Sequence, residues 1–176
     1  SDTGGGDTSA LVGMRYIWSY DTNGNSFLIM NADAEADRVN ASQYLNSKVY
    51  DVGDNYNSST GVYTVPSDGY YQFNVQLGHN LASEGDKVHL YLEKNGSTTI
   101  ARYGSAQMGD SAGTICIIHG VSTHYLEEGD TLELTIFCQI DNYFSIHPYG
   151  FADVTFSSDG DIGCTGAHWE IRKIGT

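Results

Sequence analysis

The chain has 176 residues, with 22 Asp and Glu against 8 Lys and Arg, for a formal charge of −14. That sign argues against nucleic acid and anionic membrane surfaces as partners, since both reward clustered Lys and Arg. The 40% apolar content is too high for intrinsic disorder, and no run of eighteen apolar residues exists to span a bilayer as a helix.

In chain order, residues 1–10 are rich in Gly, Ser, Thr and Asp and read as a flexible linker, with one domain expected over 11–176. The start shows no Met, charged segment or apolar segment, so no signal peptide is visible and the chain reads as a fragment or processed end of something longer. Asp21-Thr-Asn23-Gly-Asn25 superficially matches a calcium loop, but Ser26 and Ala32 occupy the positions that need Gly and Glu. The stretch from Asn31 to Arg38 is the one helical candidate, and without an apolar stripe it supports one or two turns at most.

From about residue 61 the dominant signal has period two. Tyr71, Phe73, Val75 and Leu77 fall on one face of a predicted strand, with Tyr70, Gln72, Asn74 and Gln76 on the other. Val88, Leu90 and Leu92 alternate in the same way, as do Leu132, Leu134, Ile136 and Cys138, then Trp169 and Ile171 against His168, Glu170 and Arg172. Turn signals separate these runs at 21–24, 83–86, 94–96, 128–130 and 159–160. Many short strands with frequent turns, and no fixed repeat, predict an all-β sandwich or jelly roll.

The most specific segment runs from Val52 to Phe73 and contains Tyr56, Thr60-Gly61, Tyr63, Pro66, Gly69-Tyr70-Tyr71 and Phe73. It resembles the central signature of the complement C1q globular-head family, within the C1q/tumour-necrosis-factor superfamily. Downstream order is similar: a strand over Val88–Leu92, then Lys94-Asn95-Gly96, then Gly129-Asp130 opening another strand, over roughly residues 44–174. The spacing also has a physical reading. Gly61 and Gly69 suit turns that need positive φ, Pro66 stops a central strand, and the aromatics supply core area. The family's usual Phe-Ser-Gly-Phe approach to the last strand is replaced by Gly166-Ala-His-Trp169-Glu-Ile171.

The resemblance implies a ten-strand jelly-roll homotrimer that recognises or assembles rather than catalyses, typically at the tip of a stalk. Three copies triple the negative charge, a repulsion that salt or bound cations must offset. The family also implies calcium near the trimer apex. Asp153, Asp159 and Asp161 offer oxygen donors around a Gly-containing loop, with solvated turn aspartates as the simpler reading.

Six histidines show no paired zinc-ligand spacing, and His119 and His124, five apart, belong on opposite faces of a strand. No nucleophile elbow occurs, and neither Cys116 nor Cys138 sits in a reactive-thiol motif. Both read as small buried hydrophobes, with a bridge between them open if the chain is secreted, and Cys164 is the odd one left. Asn40, Asn57 and Asn95 each open an Asn-x-Ser sequon. The aromatic-rich connection after Ile140 carries Tyr143, Phe144, His147, Tyr149 and Phe151, expected either as a ligand-binding loop or as an extra strand or subunit contact.

The sequence thus points to a non-enzymatic recognition or assembly head at the end of a larger fibre or virion structural protein, such as a viral tail fibre or capsid-associated protein. Its expected partners are two further copies and a receptor, glycan or protein ligand, with no nucleic acid and no membrane insertion. The expected location is extracellular or on a virion. The alternative is a secreted, calcium-dependent lectin-like or complement-type recognition protein.

Overall fold

The computed structural model of the chain describes residues 12–18, 27–29, 38–42, 45–80, 87–104, 115–139, 144–147 and 168–176. Its strands in chain order are β1 (Gly13–Trp18), β2 (Phe27–Ile29), β3 (Val39–Asn40), β4 (Leu45–Val52), β5 (Tyr56–Asn57), β6 (Val62–Thr64) and β7 (Gly69–Asn80). There follow β8 (Lys87–Lys94), β9 (Thr98–Gly104), β10 (Ile115–Leu126), β11 (Thr131–Gln139), β12 (Phe144–His147) and β13 (His168–Gly175). No α-helix occurs among the described residues. Except for Arg38, the helical candidate at 31–38 lies outside them, as do residues 1–11 and the expected turns at 21–24, 83–86 and 159–160.

Two antiparallel sheets form the sandwich. The first runs β4-β1-β13-β7-β10, with β12 continuing the β13 lane along β7 and β2 paired beyond it. The second runs β5-β6-β11-β8-β9, and β3 shares with β6 one edge of β11. Five lanes face five lanes, which is the expected ten-strand jelly roll. The two ends of the chain meet in the first sheet, where β13 sits between β1 and β7.

The alternation predicts the core faithfully. Tyr71, Phe73, Val75 and Leu77 are fully buried from β7, Leu90 and Leu92 from β8, Leu132, Leu134 and Ile136 from β11, and Trp169 and Ile171 from β13. Each such side chain contributes roughly 1.5–3 kcal/mol by leaving water. Trp169 meets the Tyr56 ring edge-on at 6.0 Å, and Tyr56 lies 4.4 Å from Tyr16, so aromatics of both sheets knit the interior. The Tyr56 hydroxyl donates to the carbonyl of Ser42.

Turn chemistry places the hairpins. Between β8 and β9, Asn95 (φ 54°) and Gly96 (φ 74°) both take the left-handed region, as the twist-compatible type I′ turn requires. At 57–61 the Asn57 carboxamide accepts the amides of Ser59 and Thr60, and Gly61 at φ 73° brings the chain into β6.

Two features depart from simple alternation. His168 and Glu170, expected opposite the buried Trp169 and Ile171, are themselves 4% and 7% exposed. β13 lies between β1 and β7, which set Arg15 and Asn74 on either side of Glu170 in register, and Glu170 is held by Tyr50 and Arg172. The second feature is β12, which places Phe144–His147 of the long connection in the first sheet as a strand, with Ile146 opposite His79 and Phe144 opposite Ile29. This is the extra strand that the sequence left open.

Candidate functional site

The outward face of the first sheet is built from rows that cross several strands. One row runs Val121–Asn74–Glu170–Arg15–Tyr50, from β10 through β7, β13 and β1 to β4. A second begins His119–Gln76–His168–Ile17, and a third pairs Tyr125 with Tyr70 beside the end of β13. Period-two pleating makes these rows, because residues in register on neighbouring strands share a face.

The first row has a charged centre and an apolar end. The Tyr50 hydroxyl donates to Glu170 Oε1 at 2.8 Å, and Arg172 grips the same oxygen through Nε at 2.7 Å and Nη2 at 2.5 Å. Burial pushes the Glu170 carboxyl up, yet the hydrogen bonds from Tyr50 and Arg172 and the nearby Arg15 charge outweigh it and hold the group below its ordinary value. Burial, and then the bond to Glu170, raise the Tyr50 phenol. Two buried polar atoms of this row, Arg15 Nε and Asn74 Oδ1, have no hydrogen-bond partner.

In the third row, Tyr70 and Tyr125 meet in a T-shaped contact at 5.3 Å while each remains about half exposed. Val121 and Ile174 are 55% exposed on the same sheet. Large apolar side chains aligned on an ordered sheet face are a surface suited to burial against another protein.

Most of the expected ligand and metal residues are not among the described ones. Tyr143, Tyr149, Phe151, Asp153, Asp159 and Asp161 fall outside the described residues. Phe144 and His147 bound β12, on the β7 edge that β13 also uses. Cys116 and Cys138 belong to β10 and β11, in different sheets, and Cys164 lies outside the described residues. Among the described residues no group of three or more His, Cys, Asp or Glu is arranged to hold a metal. As expected, His119 is exposed on the outward face, while His124 points inward onto Phe73 at 5.9 Å.

The Glu170 cluster escaped sequence reasoning. Its one legible signal was the placement of His168, Glu170 and Arg172 on a common outward face. Tyr50 lies 120 residues from Glu170 and carries no local mark of the contact.

The family model of the C1q domain matches residues 27–157, well over half of the chain. The chain belongs to the C1q domain family. The match begins before the Val52–Phe73 signature and ends before β13. Solved structures agree on the fold. The globular domain of zebrafish complement 1qA protein is 15% identical, with TM-score 0.53 over 93% of this chain and 97% of that one. The Eiger TNF of S. frugiperda is 10% identical, with TM-score 0.59 over 94% and 93%. Murine APRIL at pH 8.0 is 11% identical, with TM-score 0.55 over 93% and 99%. None of the curated proteins compared matches this C1q-domain chain in sequence.

C1q and TNF-type domains form homotrimers and typically serve as recognition modules that bind receptors or other ligands. They are commonly extracellular. No described helix of this C1q-domain chain is long and apolar enough to cross a membrane.

Proposed function

We propose that this chain is the trimeric, non-enzymatic recognition and assembly head of a larger fibre or virion structural protein, of the tail-fibre or capsid-associated kind. The observation that carries the reading is the exposed Tyr70, Val121, Tyr125 and Ile174 set on the outward face of the first sheet. In a trimer, each subunit buries this face against its neighbours. The −14 charge per chain keeps unassembled copies apart, so burial of the aromatic face has to overcome that repulsion. Ligand capture then falls to the connection after β11, with Tyr143, Phe144, His147, Tyr149 and Phe151 as contact residues. Asp153, Asp159 and Asp161 are the candidate calcium donors there, which is the feature a secreted, calcium-dependent recognition protein would share.

Sedimentation equilibrium tests the assembly. The expected mass is three times 19.1 kDa. Tyr125→Asp, at a half-exposed position, is expected to yield folded monomer. A wild-type chain that stays monomeric across micromolar concentrations overturns the reading. A melting shift on adding calcium, lost in Asp159→Asn and on chelation, tests the metal.

A further inference from the structure

The outward face of the second sheet carries an open polar pocket of about 430 Å³, walled by Arg38, Asn40, Glu93, Thr99, Glu133 and Thr135 among others. Glu93 of β8 and Glu133 of β11 stand directly opposite each other in register. Two carboxylates so placed repel across about 5 Å, a pairing that destabilises a sheet. Arg38 relieves half of it: Nη1 lies 2.5 Å from Glu93 Oε1 and 2.9 Å from Thr99 Oγ1, with the guanidinium 3.7 Å above the Tyr91 ring. Asn40 Nδ2 donates to Glu133 Oε2 at 2.9 Å.

Among the described residues that line the pocket, one guanidinium faces two carboxylates, one negative charge in excess. Burial first, and the Glu93 charge second, push the Glu133 carboxyl above its ordinary value. Among the described residues, none donates a hydrogen bond to Glu93 Oε2 or to Glu133 Oε1. Thr135 is two residues along β11 from Glu133, on the same face and only 6% exposed; it is one of the lining residues, and its buried hydroxyl has no hydrogen-bond partner. A buried hydroxyl without a partner is costly, and its presence points to a group that satisfies it on binding.

We propose that this pocket binds a primary ammonium group, whose three N–H donors meet Glu93 Oε2, Glu133 Oε1 and Thr135 Oγ1. Charge and donor count both match: an ammonium brings one positive charge and three donors to one excess negative charge and three open acceptors. A guanidinium is planar, and a quaternary ammonium has no donors. A divalent ion would sit against the Arg38 charge with only two carboxylates to hold it. Every residue invoked belongs to one subunit, so the site stands whether or not the chain trimerises. The ammonium can come from a lysine side chain of a partner protein or from a free small amine.

The test is titration of the full chain with Nα-acetyl-lysine amide and, separately, with ethylammonium, followed by the backbone amide shifts of Glu133 and Thr135. Saturable shifts are expected with at least one of them. Tighter binding of the lysine derivative assigns the source to protein lysines, and equal affinity assigns it to the ammonium alone. Glu133→Gln and Thr135→Val are each expected to weaken binding at least about tenfold, the effect of losing a charge-assisted or buried hydrogen bond. Both variants should melt no lower than wild type, because each removes an uncompensated group. No saturable shift, equal binding of the trimethylated lysine derivative, unchanged affinity in both variants, or displacement by low-millimolar Mg²⁺ would each overturn the proposal.

Discussion

Asn95 Nδ2 donates to Asp130 Oδ1 at 3.0 Å, tying the turn between β8 and β9 to the turn that opens β11. The other carboxylate oxygen of Asp130 accepts the Glu127 amide at 2.9 Å and the Lys94 ammonium at 2.6 Å. Asn95 in turn exchanges two bonds with the backbone of Thr131, at 2.8 and 2.9 Å. Two tight turns are thereby fixed by one buried carboxylate, which sets the register of β8 against β11.

Asp130→Ala is expected to cost about 2–4 kcal/mol, because it leaves several donors unanswered near the surface of the core. Denaturant unfolding measures this. Burial pushes the Asp130 carboxyl up, but the bonds from Lys94, the Glu127 amide and Asn95 outweigh it, so its folded value lies below the ordinary 3.8. Its contribution is therefore fully present above pH 3.8 and is lost as pH falls through the lower folded value. The wild type should lose stability in that acid range more steeply than Asp130→Asn.

His124 gives the opposite partner chemistry in a higher window. Its Nε2 is buried without a partner, and burial alone lowers its folded value below 6.5. The unfolded chain binds the proton first, so stability is full above 6.5 and declines as pH falls from there to the folded value. His124→Gln should remove this slope between pH 7 and 5 in thermal melts. A slope unchanged by the substitution would assign it to other groups.

Two buried tyrosines should respond differently to loss of the hydroxyl. The Tyr63 hydroxyl is buried with no partner, so Tyr63→Phe is expected to be neutral or to stabilise by up to about 1 kcal/mol. The Tyr103 hydroxyl bonds Ser122 Oγ at 2.7 Å, so Tyr103→Phe is expected to cost about 1 kcal/mol. The Tyr103 ring lies across Gly120, where an added Cβ would come within 2.6 Å of Cε1 and 2.7 Å of Cγ. Gly120→Ala must displace the ring and is expected to cost about 1–3 kcal/mol, as overpacking does. Matched melts of the three variants give the order.

The three sequons separate by what their carboxamides already do. Asn40 Nδ2 is committed to the Thr60 carbonyl at 3.0 Å and to Glu133, and Asn95 Nδ2 to Asp130. Asn57 is exposed, and only its oxygen is used, to cap the following turn. Expressed through a eukaryotic secretory pathway, the folded chain is expected to carry a glycan at Asn57 alone. Peptide mapping after glycosidase treatment reads this directly, and occupancy at Asn95 in folded protein would contradict the Asp130 network.

Some of this molecule is written locally. Alternation names the inward residues of β7, β8 and β11, because a pleated strand sends successive side chains to opposite faces wherever it stands. Asn95-Gly96 names a hairpin, because its two residues tolerate the positive φ that a twisted ribbon demands. The aromatic spacing from Tyr56 to Phe73 carries the family.

What depends on register across distant strands was decided only in three dimensions. Alternation places Glu170 outward, but only the arrival of Tyr50 and the flanking of β13 by β1 and β7 explain why it is buried and ionised. Glu93 and Glu133 each look like a solvated strand residue. They become an opposed pair because β8 and β11 align forty residues apart in sequence, with Arg38 brought over from before β3. Local sequence governs conformation through sterics, whereas a site's electrostatics depends on which charges the fold brings within a few ångströms, and no short stretch of chain encodes that.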